Sequence, residues 1–173
     1  MEKFIRTNSN NSVADRTIAI ARVLTGAIFV LFGEYKVAGT AFARGGFQQQ
    51  WLASFINHDA VSFYRPFLVH VVQPHAVFFG YFVGVGELLI GLSLISGLWV
   101  RPASVFGAIH MISLILATWN QVGPGPVWRY FGAELDHIPL LFLFAIFFTT
   151  RAGETWGLDA QRPFQLGRRK AHA

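Results

Sequence analysis

Residues 76–99 read AVFFGYFVGVGELLIGLSLISGLW. Apolar and small side chains fill almost the whole stretch, and its one charged residue is Glu87. A helix needs about 20 mostly apolar residues to cross the hydrocarbon core of a bilayer. The stretch therefore predicts a membrane-spanning helix that carries a carboxyl group near its middle.

The composition of the whole chain is also that of a membrane protein. Of its 173 residues, 53% are hydrophobic and 13% are charged, whereas a soluble domain carries about 25% charged residues. The chain has no cysteine, which excludes disulfides and thiolate-bound metal sites. The net charge of +5 comes from basic residues near the chain ends, so it indicates a membrane protein and not nucleic-acid binding.

Three further apolar stretches accompany residues 76–99. Since the chain is short enough for one domain, we predict a single membrane domain, residues 1–173. The predicted fold class is an all-α integral membrane protein, a four-transmembrane-helix bundle. The predicted spans are residues 17–37, 76–99, 102–119 and 137–150.

The Lys and Arg residues are divided unequally between the two sides of this bundle. Nine lie in the two tails and in the turn between the second and third spans. Three lie in the other two connections, or four if Lys36 is counted. Because cytoplasmic segments carry the excess of Lys and Arg, both tails are predicted to be cytoplasmic. The first apolar run lacks a signal-peptide cleavage pattern and is predicted to be retained.

The first outer connection, about residues 39–75, is too long for a simple turn. Phe47, Trp51 and Phe55 recur every four residues, and Phe63 and Phe67 repeat the spacing. Polar residues fall between them. This pattern predicts short amphipathic helices that lie in the membrane interface.

Small residues share one face of each of the first three spans. In the second span, Gly80, Gly84, Glu87 and Gly91 follow the spacing of one helical face. Small residues allow helices in a membrane to approach closely, so Glu87 is predicted to face the other helices. The glycines expected at helix-packing positions are Gly26, Gly33, Gly80, Gly84, Gly91 and Gly107.

Depth along the spans predicts which polar groups meet. At 1.5 Å per residue, Glu87 lies about 18 Å and His110 about 12 Å from the cytoplasmic ends of their spans, so a contact is geometrically reasonable. Arg22 is expected to extend to the cytoplasmic interface, and Lys36 is expected near the outer surface. Glu87 is then either a structural group bonded across helices or a carboxylate that relays protons or binds a ligand.

No metal site is predicted. His58, Asp59, His70 and His75 lack the spacing that would align ligands on one helical face. A haem between two histidines is not favoured either, because no two of them have comparable depth in the membrane.

Three segments together resemble a known family. They read RVLTGAIFVLFGEYKV at residues 22–37, GELLIGLSLISGLWVRPA at 86–103 and RAGETWGLDA at 151–160. In order and spacing they resemble the DoxX family of small four-helix bacterial membrane proteins, and in particular its DoxD branch. The positions that match the family pattern are Gly33, Lys36, Glu87, Gly91, Gly97, Gly157, Leu158 and Asp159.

The resemblance implies a four-helix bundle in the bacterial cytoplasmic (inner) membrane. The DoxD branch is the small membrane subunit of a thiosulfate:quinone oxidoreductase, and other family members look like accessory partners of redox enzymes. The family carries no agreed catalytic residue set to transfer.

Two functions follow as hypotheses. In the first, the chain is an accessory or anchoring subunit of a membrane-bound respiratory or photosynthetic complex, with lipid and redox subunits as partners. In the second, it is the quinone-reducing subunit of a thiosulfate:quinone oxidoreductase, in which Glu87 and His110 handle protons. Lys36, Arg44 or Arg65 would then hold a sulfur oxyanion. Quinone is the one cofactor considered, and none is expected to be intrinsic, since the sequence shows no flavin motif, metal site or cysteine.

Overall fold

The computed structural model describes residues 12–122 and 137–161, which form helices and turns without a β-strand. The four main helices are α1 (Val13–Ala38), α5 (Ala76–Ser96), α6 (Val100–Thr118) and α7 (His137–Thr149). Three short helices lie between α1 and α5, namely α2 (Thr40–Ala43), α3 (Phe47–Ser54) and α4 (Arg65–Phe67). Short π-helical and 3-10 turns complete these residues, at Phe55–Asp59, Leu68–Val72, Gln73–His75, Trp119–Val122, Ala152–Glu154 and Leu158–Gln161.

Three of the helical segments are long and apolar enough to span a membrane. They are Val13–Ala38, Arg65–Ser96 and Val100–Gln121. The second is longer than the predicted span 76–99, because helical turns continue from α4 through Pro74 into α5. The predicted all-helical membrane protein is thus confirmed for the described residues. The fourth predicted span corresponds to α7, whose 13 residues are fewer than the roughly 17 that a span requires.

The main helices associate in two pairs, α1 with α5 and α6 with α7. In the first pair, the glycine faces bring the backbones into contact. A Cβ atom added to Gly26 would lie 2.8 Å from the carbonyl oxygen of Gly91, and one added to Gly33 would lie 2.7 Å from that of Gly84. Both distances are too short for any larger side chain, so close packing of α1 on α5 requires glycine at these positions.

Aromatic side chains fill the space between the two pairs. Phe144 of α7 packs edge-to-face on Phe29 of α1, with ring centroids 5.3 Å apart. The Phe144 ring also covers Gly107 of α6, where a Cβ atom would collide with it. The buried members of this core are Phe29, Ile90, Leu94, Val100, Met111, Phe144, Phe147 and Ala152.

The outward faces of the long helices carry large apolar side chains. Leu31, Phe32, Phe82, Leu89 and Phe106 are each more than half exposed. Apolar surface of this extent is rare on a monomeric soluble protein. In a bilayer, the same side chains contact lipid.

The segment between α3 and α5 packs over one end of α6. The backbone N–H of Val61 donates to the carbonyl of Leu116 at 3.0 Å, and Leu52 and Leu68 are buried in a second small core. Trp51 and Phe63 point outward, at 52% and 74% exposure. The location of this segment in the membrane interface stays a prediction.

Candidate functional site

Glu87 is the centre of a polar cluster inside the helical bundle. Glu87 is 5% exposed, and side chains from two other helices contact its Oε1 atom. The Lys36 ammonium of α1 forms an ion pair with this oxygen, and His110 Nε2 of α6 lies 3.1 Å from it. We call Lys36, Glu87 and His110 the Glu87 cluster.

Lys36 reaches Glu87 because α5 has no side chain at Gly84. A Cβ atom there would lie 2.8 Å from the Cβ of Lys36. The ammonium also lies 5.5 Å from the ring centroid of Phe42 and 6.0 Å from that of Phe32. The long side chain thus pairs with a buried carboxylate, which offsets the cost of both charges. The expected location of Lys36 near the outer surface stays a prediction.

His110 of α6 contacts the same oxygen atom of Glu87. Its side chain is 15% exposed, and the contact with Glu87 is the one that depth along the two spans predicted. A carboxylate oxygen can only accept a hydrogen bond. While Glu87 is ionised, Nε2 of His110 is therefore the protonated nitrogen in this contact.

The second carboxylate oxygen of Glu87 has no such neighbours. Oε2 is buried and has no hydrogen-bond partner among the described residues. A buried polar atom without a partner costs about 1–3 kcal/mol, and such atoms are rare enough in folded proteins to need an explanation. Oε2 can therefore still accept a hydrogen bond or take up a proton.

A second polar contact lies next to the cluster and was not identified from sequence. The hydroxyls of Tyr64 and Ser113 are 2.6 Å apart. Ser113 follows His110 by three residues, so both lie on one side of α6, about 4.5 Å apart along the helix axis. The spacing of His110 and Ser113 indicates a polar side of α6. The partner Tyr64 comes from the connection between α1 and α5, whose fold could not be predicted in detail from the sequence.

The other two cations proposed as oxyanion ligands have separate surroundings. Arg65 donates to backbone carbonyls, from Nε to Ala60 at 2.9 Å and from Nη2 to His58 at 3.4 Å. The Arg44 guanidinium lies 5.7 Å from the ring centroid of Tyr81. Within residues 12–122 and 137–161, no hydrogen bond or ion pair joins Arg44 or Arg65 to the Glu87 cluster.

Arg22 lies in a different place from that expected. Instead of extending to an interface, it is fully buried, at 0% exposure, and its guanidinium nitrogens have no hydrogen-bond partner in the described part of the chain. It packs against Gly97 and Gly157, which leave room for it, and Asp159 is the nearby charge of opposite sign. The tight backbone at the two glycines encloses the side chain and prevents it from extending.

Asp159 also holds the C-terminal turn against the start of α6. Its carboxylate accepts from the backbone N–H groups of Trp99 at 2.9 Å and Val100 at 3.1 Å. Its own N–H donates to the carbonyl of Gly97 at 2.8 Å. Gly97 has a φ of 68°, which favours glycine in this turn. Asp159 therefore caps α6 from a distant part of the sequence.

Metal ligands are not grouped in the described residues. Within 12–122 and 137–161, no three His, Cys, Asp or Glu side chains lie together as a metal ion would require. His58, His70 and His75 lie in the connection between α1 and α5, apart from the Glu87 cluster.

Comparison with known proteins places this architecture in a family. The family model for DoxX matches residues 17–119, which include all three members of the Glu87 cluster. No curated protein and no solved structure matches the chain. Because the family model covers more than half of the sequence, the chain belongs to the DoxX family.

Proposed function

We propose that this chain is an accessory membrane subunit of a bacterial redox complex, and that its Glu87 cluster handles protons at a quinone site. The observation that carries the proposal is the buried, unpartnered Oε2 atom of Glu87. The more specific form of the proposal is a DoxD-type subunit of a thiosulfate:quinone oxidoreductase.

The cluster has the chemistry that proton handling requires. Glu87 is a carboxyl group between an ammonium and an imidazole, two groups that can each carry a proton. Protonated Glu87 can donate a hydrogen bond from Oε2, and ionised Glu87 can accept one there. His110 can deliver or remove a proton at Oε1.

The cluster residues suit a quinone in their hydrogen-bonding chemistry. When bound, a quinone takes up electrons and protons at its carbonyl oxygens. Glu87 Oε2 supports a hydrogen bond to such an oxygen in either protonation state. Phe32 and Phe42, whose rings lie near the Lys36 ammonium, offer aromatic faces for a planar ring.

Electrons require a partner subunit in this proposal. The 173 residues contain no cysteine, so the chain cannot bind an iron–sulfur cluster through thiolates or use a dithiol. We therefore assign the electron carrier to another chain of the complex. A sulfur oxyanion would be held on the outer side by Arg44 or Arg65, since the Lys36 ammonium is already paired with Glu87. Of these, Arg44 is exposed and Arg65 is partly engaged with backbone carbonyls.

The proposed topology has four spans in the inner membrane and both termini in the cytoplasm. The excess of Lys and Arg in the tails supports this orientation. The fourth proposed span, residues 137–150, contains α7, and any extension before position 137 lies outside the described residues.

Purification of the tagged chain from its native membrane in mild detergent tests the proposal. We expect redox subunits to co-purify in fixed proportion and quinone to be extracted with them. In the Glu87→Gln variant, the subunits should remain and the quinone should be lost. Glu34→Gln is the matched control, because Glu34 is exposed on α1. A chain that purifies without redox partners, or a Glu87→Gln variant that retains quinone fully, would contradict the proposal.

A purely anchoring role is the second candidate. The close contact of α1 and α5 at Gly26, Gly33 and Gly84 favours it, because the Lys36–Glu87 ion pair would then serve to join these two helices. In that case, Glu87→Gln should weaken assembly of the complex, whereas the proton-handling role predicts lost turnover in an assembled complex.

A further inference from the structure

The face of α5 that points away from Glu87 carries a shallow groove. The groove has a volume of about 310 Å³ and is lined by apolar atoms of Phe78, Tyr81, Phe82, Val85, Gly86 and Leu89. Phe78, Phe82 and Leu89 are each more than 60% exposed. This groove is separate from the Glu87 cluster, because position 87 lies about 180° around the helix from position 78.

Gly86 differs from the other glycines of α5. Gly80, Gly84 and Gly91 are each covered by another part of the chain, whereas a Cβ atom at Gly86 would have no atom within 4 Å. Packing within the described chain therefore does not require a glycine here. Its effect is to keep the groove open between the larger side chains of Phe82, Val85 and Leu89.

A cation lies next to the groove. The Arg44 guanidinium is 5.7 Å from the ring centroid of Tyr81, and Tyr81 lines the groove. Arg44 is exposed, and no carboxylate of the described residues pairs with it. An apolar groove beside an uncompensated cation is complementary to an amphiphile with a negatively charged head.

The length of the groove fits one hydrocarbon chain of a lipid leaflet. From Phe78 to Leu89 the helix rises about 16 Å, and one leaflet contributes about half of the 30 Å hydrocarbon core. Tyr81 and Arg44 lie toward the end at which α5 begins, so the charged head and the apolar tail would both be accommodated.

We propose that this groove binds an anionic phospholipid, with its phosphate on Arg44 and one acyl chain along Phe78, Phe82 and Leu89. The attraction between Arg44 and the phosphate provides selectivity for negative headgroups. The open floor at Gly86 provides the space for the acyl chain.

Native mass spectrometry of the purified full chain with added phosphatidylglycerol tests this site. Phosphatidylcholine with the same acyl chains serves as the zwitterionic comparison. We expect phosphatidylglycerol to bind more tightly to the wild-type chain. Arg44→Gln should weaken its binding about fivefold, the effect of losing one cation near the membrane surface. Gly86→Leu should weaken the binding of both lipids by filling the groove. The variant should fold, because a Cβ atom at this position has no atom within 4 Å.

Arg101→Gln is the matched control. Arg101 also lies over an aromatic ring, 4.6 Å from the centroid of Phe148, but it does not border the groove. Its loss should leave phosphatidylglycerol binding within twofold of wild type. Equal lipid binding by wild type and Arg44→Gln would overturn the proposal. The proposal would also be overturned if the wild-type chain is a dimer and Gly86→Leu is a monomer. The groove would then hold a second copy of the chain.

Discussion

Both Lys36 and His110 contact the Oε1 atom of Glu87, whereas its Oε2 atom is buried without a hydrogen-bond partner among the described residues. An ionised carboxylate in the membrane interior is costly unless it is paired. The ion pair with Lys36 therefore offsets part of the cost of burying both groups, and His110 adds a hydrogen bond. At the residue scale, removal of one partner should affect the protein more than removal of both.

Replacement of Lys36 tests this dependence. We expect Lys36→Met to lower the free energy of unfolding by about 3 kcal/mol, because breaking a buried pair leaves an uncompensated charge. The double variant Lys36→Met/Glu87→Gln should recover part of that loss, since no ionised carboxyl remains. Denaturant unfolding in detergent measures both values. The Glu87→Gln single variant completes the comparison. If the loss in the double variant equals the sum of the losses in the two single variants, the two groups do not interact.

Asp159 carries a second prediction at this scale. Asp159→Ala removes the cap of α6 and the charge opposite Arg22, so we expect a loss of about 1–3 kcal/mol in stability. Glu154→Ala is the control, because its pair with Arg151 is exposed on both sides and contributes less than about 1 kcal/mol. Thermal unfolding of the two variants compares them. Equal melting temperatures would show that the C-terminal turn does not stabilise α6.

At the scale of elements, the close contact of α1 with α5 determines how much a substitution on α5 destabilises the protein. Gly84→Leu should push α1 away, since even a Cβ atom would lie 2.8 Å from Lys36 Cβ and 2.9 Å from Val37 Cγ2. We expect destabilisation of at least about 2 kcal/mol and loss of the Lys36–Glu87 pair. Gly86→Leu lies two residues away on the open face of the same helix and should leave stability unchanged.

For both variants, thermal unfolding measures the stability of the chain, and purification measures the yield of assembled complex. A Gly84→Leu variant as stable as Gly86→Leu would mean that α1 and α5 do not pack as described. An intact complex carrying Gly84→Leu would count against an anchoring role.

Sequence patterns predicted the helices better than the contacts between side chains. The spacing of Gly80, Gly84 and Glu87 indicated an inward face, and depth along the spans indicated the Glu87–His110 contact. The same reasoning located Lys36 by its backbone position. It did not predict the ion pair with Glu87, because a lysine side chain extends over several ångströms. Arg22 was misplaced for a related reason, since the turn that encloses it depends on Gly97 and on residues 60 positions further along the chain.

At the scale of the whole molecule, the two helix pairs and the distribution of basic residues predict an orientation. The chain has no cysteine, so single cysteines can be introduced without background. Ser62→Cys, at an exposed position in the connection between α1 and α5, should react with a membrane-impermeant maleimide in intact cells. Gln161→Cys, exposed beyond α7, should react only after permeabilisation. The reverse labelling pattern would mean that the topology is inverted. Labelling of both cysteines in intact cells would require an odd number of spans.

The central claim is that Glu87 handles protons inside an assembled redox complex. The most direct test is the rate of quinone reduction by membranes that contain the complex with Glu87→Gln, normalised to the amount of assembled complex. Loss of one acid–base group lowers a rate by about 10²–10⁴-fold, so we predict a decrease of at least about a hundredfold. The Glu34→Gln control should show wild-type turnover. Unchanged turnover in a fully assembled Glu87→Gln complex would contradict the claim and leave Glu87 a structural partner of Lys36.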